Sequence, residues 1–238
     1  MNFVAVIPAR YAASRFPGKL LQPLGNRTVL AHTYLNTVAT GLFREVLVVT
    51  DSDEIEREIH GIGGKVLRSS RHHESGTDRI AEIAPKLEAE VIVNVQGDEP
   101  FVRREPLERL CRLFNDPTTQ VGSLMHLLTD EDRIADPNTV KVVVNMHHEA
   151  LYFSRSPIPF RRDAGSPALY YKHIGVYGYR KEALLTISQL PTTLLEQTEK
   201  LEQLRMLEHG YRIRMALTEP WSVSIDTPDD LEAARQLL

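Results

Sequence analysis

The sequence predicts an α/β protein built on a mostly parallel central sheet, with a smaller lobe rich in antiparallel strands. Three observations carry that prediction. Through the first half, short β-branched runs alternate with helical patterns: "FVAVI", "TVLAHTYLNTVA", "EVLVVT", "DEIEREIHGI", "KVLR", "DRIAEIAPKL" and "VIVNV". The runs 46–49 and 91–95 are apolar at successive positions, as strands covered by helices on both faces must be. The second half changes character, with "TVKVVVN", "ALYFSR" and "HIGVYGYR" reading as strands and no long helix between the first two.

Each element follows from local chemistry. The first strand runs into "IPARYAASRFPGKLL" and the fourth into "QGDEP", and ligands on parallel sheets sit beyond such carboxyl ends. "TDSDEIE" offers Asp51 either to a ribose or to an N-cap with first-turn acids, and the cap is favoured. "GIGGK" (61–65) follows a helical pattern and precedes a strand, so its glycines end a helix and do not bind a dinucleotide. "NMHHE" (145–149) reads as a hairpin turn, and 156–168, with three prolines and a glycine, as a flexible loop. A helix rich in Glu, Leu and Gln is expected over 196–209, then a strand at 212–217. A closing helix begins at Pro228, with Thr227 as its N-cap. The whole chain, 1–238, reads as one domain, with about 140–182 as the smaller lobe.

A chain of 238 residues buries roughly 70–75% of its unfolded surface, enough for a full core. Its net charge of −4 argues against bulk nucleic-acid binding and against a polybasic membrane contact. Cys111 is the only cysteine, so no disulfide framework or zinc site can form and a reducing cytoplasm is expected. Pro8 and Arg10 interrupt the first apolar run, which excludes a signal-peptide core, and no apolar stretch approaches the ~20 residues of a membrane span.

Against that acidic background, Arg10, Arg15 and Lys19 fall within ten positions. Converging cations in a partly desolvated cleft bind a polyphosphate, each pair contributing ~4 kcal/mol at the edge of a protein against ~1 kcal/mol in water. The loop is not a Walker A motif, since Leu20 follows the lysine. Pro17 stiffens the approach and Gly18 permits a sharp turn, so Lys19 is held on a rigid corner. Asp98 and Asp226 come from strand ends far apart in sequence. Two such carboxylates beside a polyphosphate loop suit Mg²⁺, which fills its octahedron with phosphate oxygens and water. Asp229 and Asp230 read as first-turn acids. His72-His73 and His147-His148 lack metal-ligand spacing, while Ser75, Gly76 and Thr77 offer donors at a helix start with Arg79 one turn in.

Taken together, "IPARYAASRFPGKLL", "HHESGTDRIAE", "VIVNVQGDEP", "ALYFSRSPIP", "HIGVYGYR", "LEQLR" and "DTPDDLE" resemble, in order, the motifs of the 3-deoxy-manno-octulosonate (Kdo) cytidylyltransferases of lipopolysaccharide biosynthesis. The likeness covers Phe3 to about Glu232. It implies a nucleotide-diphospho-sugar transferase fold, a homodimer, Mg²⁺, and transfer of CMP from CTP to Kdo with release of pyrophosphate. Carried over by motif, Arg10, Arg15 and Lys19 resemble the triphosphate clamp, with Ala9 giving backbone contacts and Arg15, Lys19 and Asp98 the catalytic set. Ser75, Thr77, Arg79 and Gln96 resemble the nucleotide contacts, and Asp98 and Asp226 the metal ligands. Gln96, Arg155, Arg162, His173, Tyr177, Glu202 and Gln203 resemble the sugar-acid site, with arginines suited to a carboxylate and Glu and Gln to vicinal hydroxyls. "PWSVSIDTP" departs from the family, which often places a glycine-bearing turn before its "VDTP".

Two other readings stand beside this one: a cytidylyltransferase for an amino-substituted Kdo or a nonulosonic acid, and a catalytically silent nucleotide-sensing dimer. A nucleic-acid module resting on "RSSRHH" and "FRRD" is disfavoured by the acidic balance. No side chain stands out as a general base.

Overall fold

The structure, a computed structural model, describes residues 1–11, 16–70, 73, 75–163, 165, 167–220 and 224–238. The chain divides into two compact units, one formed by 1–107 with 222–238 and the other by 108–221. The lobe expected at 140–182 lies within the second unit, which is much larger than that span.

In the first unit, β1 (Phe3–Pro8) is followed by a short ribbon of β2 (Pro23–Leu24) and β3 (Arg27–Thr28). Next come α1 (Val29–Ala39), β4 (Glu45–Thr50), α2 (Asp53–Gly61), β5 (Val66–Arg68), α3 (Gly76–Ile83) and β6 (Val91–Asn94). β1 pairs in parallel with both β4 and β6, and β4 with β5. The chain therefore steps outward from β1 to β5 and then returns to the other side of β1. That reversal lies between β1 and β6, where an open parallel sheet offers its ligand crevice. The strands are buried throughout their middles, Val4 to Ile7, Val46 to Val49 and Val91 to Val93 being nearly or wholly inaccessible.

The helix starts obey simple capping rules. The Thr28, Ser52 and Ser75 hydroxyls accept from the backbone N–H of Ala31, Ile55 and Asp78, each bond stabilising its helix by ~1 kcal/mol. The cap of α2 is thus Ser52. Asp51, favoured for that role in the sequence, sits one residue too early to reach the N3 amide and turns to Arg79 instead. Gly63, at φ +72°, ends α2 as expected of a left-handed glycine.

After α4 (Arg104–Leu113), the second unit contains β7 (Val121–Leu128), α5 (Glu131–Ala135), β8 (Lys141–Val144), β9 (Ala150–Ser154) and β10 (Tyr170–Arg180). It continues through α6 (Lys181–Ile187), α7 (Leu194–Glu199), α8 (Gln203–Glu208) and β11 (Ile213–Leu217). Here antiparallel pairing dominates: β10 pairs with β7 and β8, and β8 with β9, while β11 joins β7 in parallel. The turn at 145–149 is the expected hairpin, with His148 at φ 57°. The single helix expected over 196–209 is two helices. Lys200 adopts a left-handed conformation at φ 55° and closes α7 before Leu201 is buried.

The last helix, α9 (Pro228–Arg235), belongs to the first unit. Its capping box pairs Thr227 with Asp230, and Leu231 and Ala234 pack with Leu24, Val29 and Ile225 against Phe16 and Phe101.

Candidate active site

Lys19 is placed by its neighbours. Gly18 turns at φ 68° and donates its N–H to the Tyr11 carbonyl (3.1 Å), and the following 3-10 turn buries Leu20 against Gly97. Glycine at 97 allows this close approach, because a Cβ there would lie 3.3 Å from the Pro8 carbonyl oxygen and 3.2 Å from Leu20 Cδ1 and would push the turn outward by a few tenths of an ångström.

The acids reach Lys19 from two directions. α1 pins the turn after β6 from below: Thr33 donates to the Gly97 carbonyl (2.9 Å) and the Asn36 amide to that of Pro100 (2.6 Å). The Ile225 N–H donates to the Asp98 carbonyl at 3.0 Å, which sets the next residue, Asp226, beside Asp98. Asp226 and Thr227 donate their own N–H groups to the Asp230 carboxylate (3.0 and 2.8 Å), so Asp230 fixes the residues before α9 as well as capping it. As a result the Lys19 ammonium donates to Asp98 Oδ2 at 2.5 Å and to Asp226 Oδ1 at 3.0 Å. Burial works against this ammonium, but the Asp98 and then the Asp226 carboxylate outweigh it and hold its pKa above the usual lysine value.

Two hard oxygen donors facing one cation-sized point fit a Mg²⁺ ion that takes its remaining ligands from phosphate and water. Among the described residues no cluster of three or more His, Cys, Asp or Glu side chains is placed to hold a metal ion.

The nucleotide contacts implied by the family lie in the same unit. Ser75 caps α3, and Gly76 packs against the Pro8 ring and near the Gln96 amide, so the helix start sits over the carboxyl ends of β1 and β6. Thr77 is buried. Arg79 is only 3% exposed and pairs with Asp51 (2.9 Å) at the end of β4. Ala9 spends its N–H on the Val49 carbonyl (2.9 Å), which leaves its carbonyl for any further contact. Arg10 is exposed, and Arg15 lies outside the described residues.

One contributor went unnoticed in the sequence. Glu82 on α3 accepts from the Ser69 and Ser70 hydroxyls, the Ser70 N–H (2.8 Å) and His73 Nε2 (2.6 Å), tying the segment before α3 to that helix. Burial opposes the Glu82 charge, yet the hydrogen bonds from Ser70, His73 and Ser69 hold its pKa well below the carboxylate range.

The sugar-acid candidates other than Gln96 fall in the second unit. A bulge in β10 brings two of them together: Ile174 opposes Leu124 while Tyr177 opposes Ser123, so two extra residues are taken up. Four extended residues span ~13 Å, but the His173 and Tyr177 rings lie 5.4 Å apart, with Phe153 edge-on to His173 at 4.9 Å. The Ser123 hydroxyl contacts the Ile174 and Val176 carbonyls and His173 Nε2 (3.1, 2.9 and 3.2 Å). Burial drives the His173 pKa down to about 3, so the ring is neutral. Among the described residues the buried Tyr177 hydroxyl makes no well-formed hydrogen bond. Its pKa is raised by burial and by the charges of Tyr179 and Glu202. Gln203, the first residue of α8, is buried.

Arg161 stacks on Tyr170 (5.7 Å) and pairs with Glu131 (3.3 Å), whereas Arg162 is exposed. Arg155 is held by backbone: its Nε donates to the Glu199 carbonyl (2.8 Å) and its Nη1 to that of Pro137 (2.9 Å).

A cytidylyltransferase family model matches residues 4–213. The 3-deoxy-manno-octulosonate cytidylyltransferase of Flavobacterium johnsoniae is 52% identical over 100% of this chain and 99% of its own. That of Geobacter sulfurreducens is 44% identical over the full length of both. A CMP:2-keto-3-deoxy-manno-octonic acid synthetase solved in complex with CTP superposes with a TM-score of 0.95 at 42% identity, over 100% of this chain and 98% of that one. A cytidylyltransferase from Leptospira borgpetersenii, at 16% identity and a TM-score of 0.66, shares the fold. The chain belongs to the 3-deoxy-manno-octulosonate cytidylyltransferase family.

Proposed function

We propose that this chain transfers CMP from CTP to the anomeric hydroxyl of Kdo. The hydroxyl oxygen forms a bond to the α-phosphorus, the bond from that phosphorus to the bridging oxygen breaks, and pyrophosphate leaves. The observation that supports this most directly is full-length identity of 52% and 44% to Kdo cytidylyltransferases, joined to an Asp98–Lys19–Asp226 constellation at the switch point of the sheet. The same full-length likeness favours Kdo over a larger sugar acid and catalysis over sensing.

Asp98 and Asp226 would hold Mg²⁺, which screens phosphate charge and acidifies a hydroxyl when bound. Lys19 is the cation that turns toward developing negative charge on the leaving pyrophosphate, with Arg10 and Arg15 as partners from the same loop. Gln96, Ser75, Thr77 and Arg79 serve the nucleotide. Arg155 and Arg162 serve the sugar carboxylate, and His173, Tyr177, Glu202 and Gln203 its hydroxyls. The buried Tyr177 hydroxyl, which lacks a well-formed partner among the described residues, supports the latter assignment. We also propose a cytoplasmic homodimer. A lone buried Cys111 suits a reducing compartment, no helix among the described residues is long and apolar enough to cross a membrane, and Met146, Leu151 and Phe160 offer exposed apolar surface in the second unit.

Pyrophosphate release from each of the four NTPs, with Mg²⁺ and with or without Kdo, tests the reading. Release only from CTP with Kdo is the expected result. Release from CTP only with another keto-sugar acid would overturn the sugar assignment, and silence with every pair would favour a sensor.

A further inference from the structure

Lys141, at the start of β8, has no accessible surface at all. Its ammonium donates to two backbone carbonyls, those of Arg155 (2.5 Å) and Asp136 (3.0 Å). Burying a full charge against neutral dipoles is expensive, and a short polar side chain or a bound water would satisfy two carbonyls at less cost. Burial pushes the Lys141 pKa down, opposed by the nearby Asp136 and Glu199 carboxylates.

The rest of the arrangement shows what the lysine holds. Glu199, the last residue of α7, accepts the Arg155 N–H at Oε2 (3.0 Å) and the Ser154 hydroxyl at Oε1 (2.6 Å). Its own carbonyl takes Arg155 Nε, and the Pro137 carbonyl takes Nη1. Arg155 is therefore fixed at its backbone N–H, its backbone carbonyl and one side of its guanidinium. Of five guanidinium donors, two are spent on carbonyls, and among the described residues the Nη2 pair with one Nη1 proton stays available for a planar anion. None of the groups touching the guanidinium in these bonds is a carboxylate, so its charge is undiminished by an ion pair.

We propose that Lys141, working with Glu199, is a positioning residue that sets the orientation of the Arg155 guanidinium toward the sugar-acid carboxylate. Lys141 touches no substrate. It anchors the carbonyl of Arg155 while Glu199 anchors the N–H, and together they fix the peptide from which the guanidinium projects. The inference rests on the reading that Arg155 meets that carboxylate.

Steady-state kinetics of four proteins test it: wild type, Lys141→Met, Arg155→Ala and the double variant. Methionine keeps the length and apolar stem of the lysine and removes the ammonium. Arg155→Ala should raise the KM for Kdo ~10–100-fold, and Lys141→Met should raise it about tenfold, with the KM for CTP within about twofold of wild type in both. In the Arg155→Ala background, Lys141→Met should add nothing further to the KM for Kdo. A purely structural lysine would lower the melting temperature or the active fraction and leave both KM values alone, and that result would overturn the inference. So would a Lys141→Met effect undiminished by removal of Arg155. If Arg155→Ala itself left the KM for Kdo unchanged, the reading of Arg155 would fall and the inference with it. Should Lys141→Met not fold, Glu199→Gln, which weakens the clamp from the opposite side, is read against the same criteria.

Discussion

The two units hold their cations in opposite ways. In the first, Lys19 and Arg79 are matched by side-chain carboxylates, Asp98 and Asp226 for one and Asp51 for the other. In the second, Lys141 and Arg155 are matched mostly by backbone carbonyls. The difference lies in which groups touch the cation directly. A lysine between two aspartates leaves a site that is slightly negative and suited to a second, exchangeable cation. An arginine held by neutral dipoles keeps its full positive charge and is suited to an anion. The same residue types, given different partners, thus make one centre that suits the proposed metal–polyphosphate and another that suits the proposed carboxylate.

The largest expected effect comes from breaking the carboxylate side. Asp98→Asn should lower kcat/KM ~10²–10³-fold in the presence of Mg²⁺, measured as pyrophosphate release. Near-wild-type turnover would remove Asp98 from the metal site. Lys19→Met sharpens the comparison further, because it should act on two observables in opposite directions. Turnover should fall about 10²-fold for want of the cation that meets the leaving group. Mn²⁺ bound by the nucleotide-free protein, read by EPR, should meanwhile increase, since Asp98 and Asp226 lose the ammonium that now neutralises them. An unchanged Mn²⁺ affinity would mean that the three side chains do not compete for one position.

The same contrast separates what was legible in the sequence from what was not. β1, β4 and β6 were legible because a strand buried on both faces must be apolar at successive residues, as 46–49 and 91–95 are. That Asp98 and Asp226 would lie near the basic loop was legible because both follow strand ends, where ligands of a parallel sheet gather. Their grip on Lys19 was not, because it depends on the Ile225–Asp98 backbone bond, a long-range contact with no sequence signature. Asp51 was misassigned for a related reason: capping follows a one-residue register that Ser52 satisfies, and the partner that claims Asp51 lies on α3. Lys141 was invisible because a lysine at the start of a strand pattern reads as a solvent-facing residue. The break at Lys200 was hidden because Glu, Leu and Gln continue on both sides of it.

His173 tests whether the second unit tolerates charge where its partners are dipoles and rings. The folded-state pKa is about 3 against the usual histidine value of 6.5, so the unfolded chain binds the proton more readily between those limits. Stability is therefore unaffected by this group above pH 6.5. It is lost as pH falls through the window down to about 3, by at most about 1.4 kcal/mol per pH unit. Urea unfolding at a series of pH values should show that slope in the wild type, and His173→Gln should lack it. An equal slope in both would mean that the ring accepts a proton inside the fold.

The smallest effect concerns Cys111, which lies in α4 within the span of the second unit and has no part in either site. Burial, with Glu108 nearby, pushes its thiol pKa up to about 12, so almost no thiolate exists at neutral pH. Reaction with a thiol reagent must then await local opening, and native labelling should be slower than that of the urea-unfolded chain by a factor of 10³ or more. Cys111→Ala removes one small buried sulfur, so it should cost about 1 kcal/mol of stability and leave both KM values within about twofold of wild type. Added Kdo should slow the labelling if the sugar acid binds the folded second unit, because a ligand that binds only the folded form lowers the open population in proportion to its occupancy. Labelling unmoved by saturating Kdo would mean that the opening which exposes Cys111 is not coupled to the sugar-acid site.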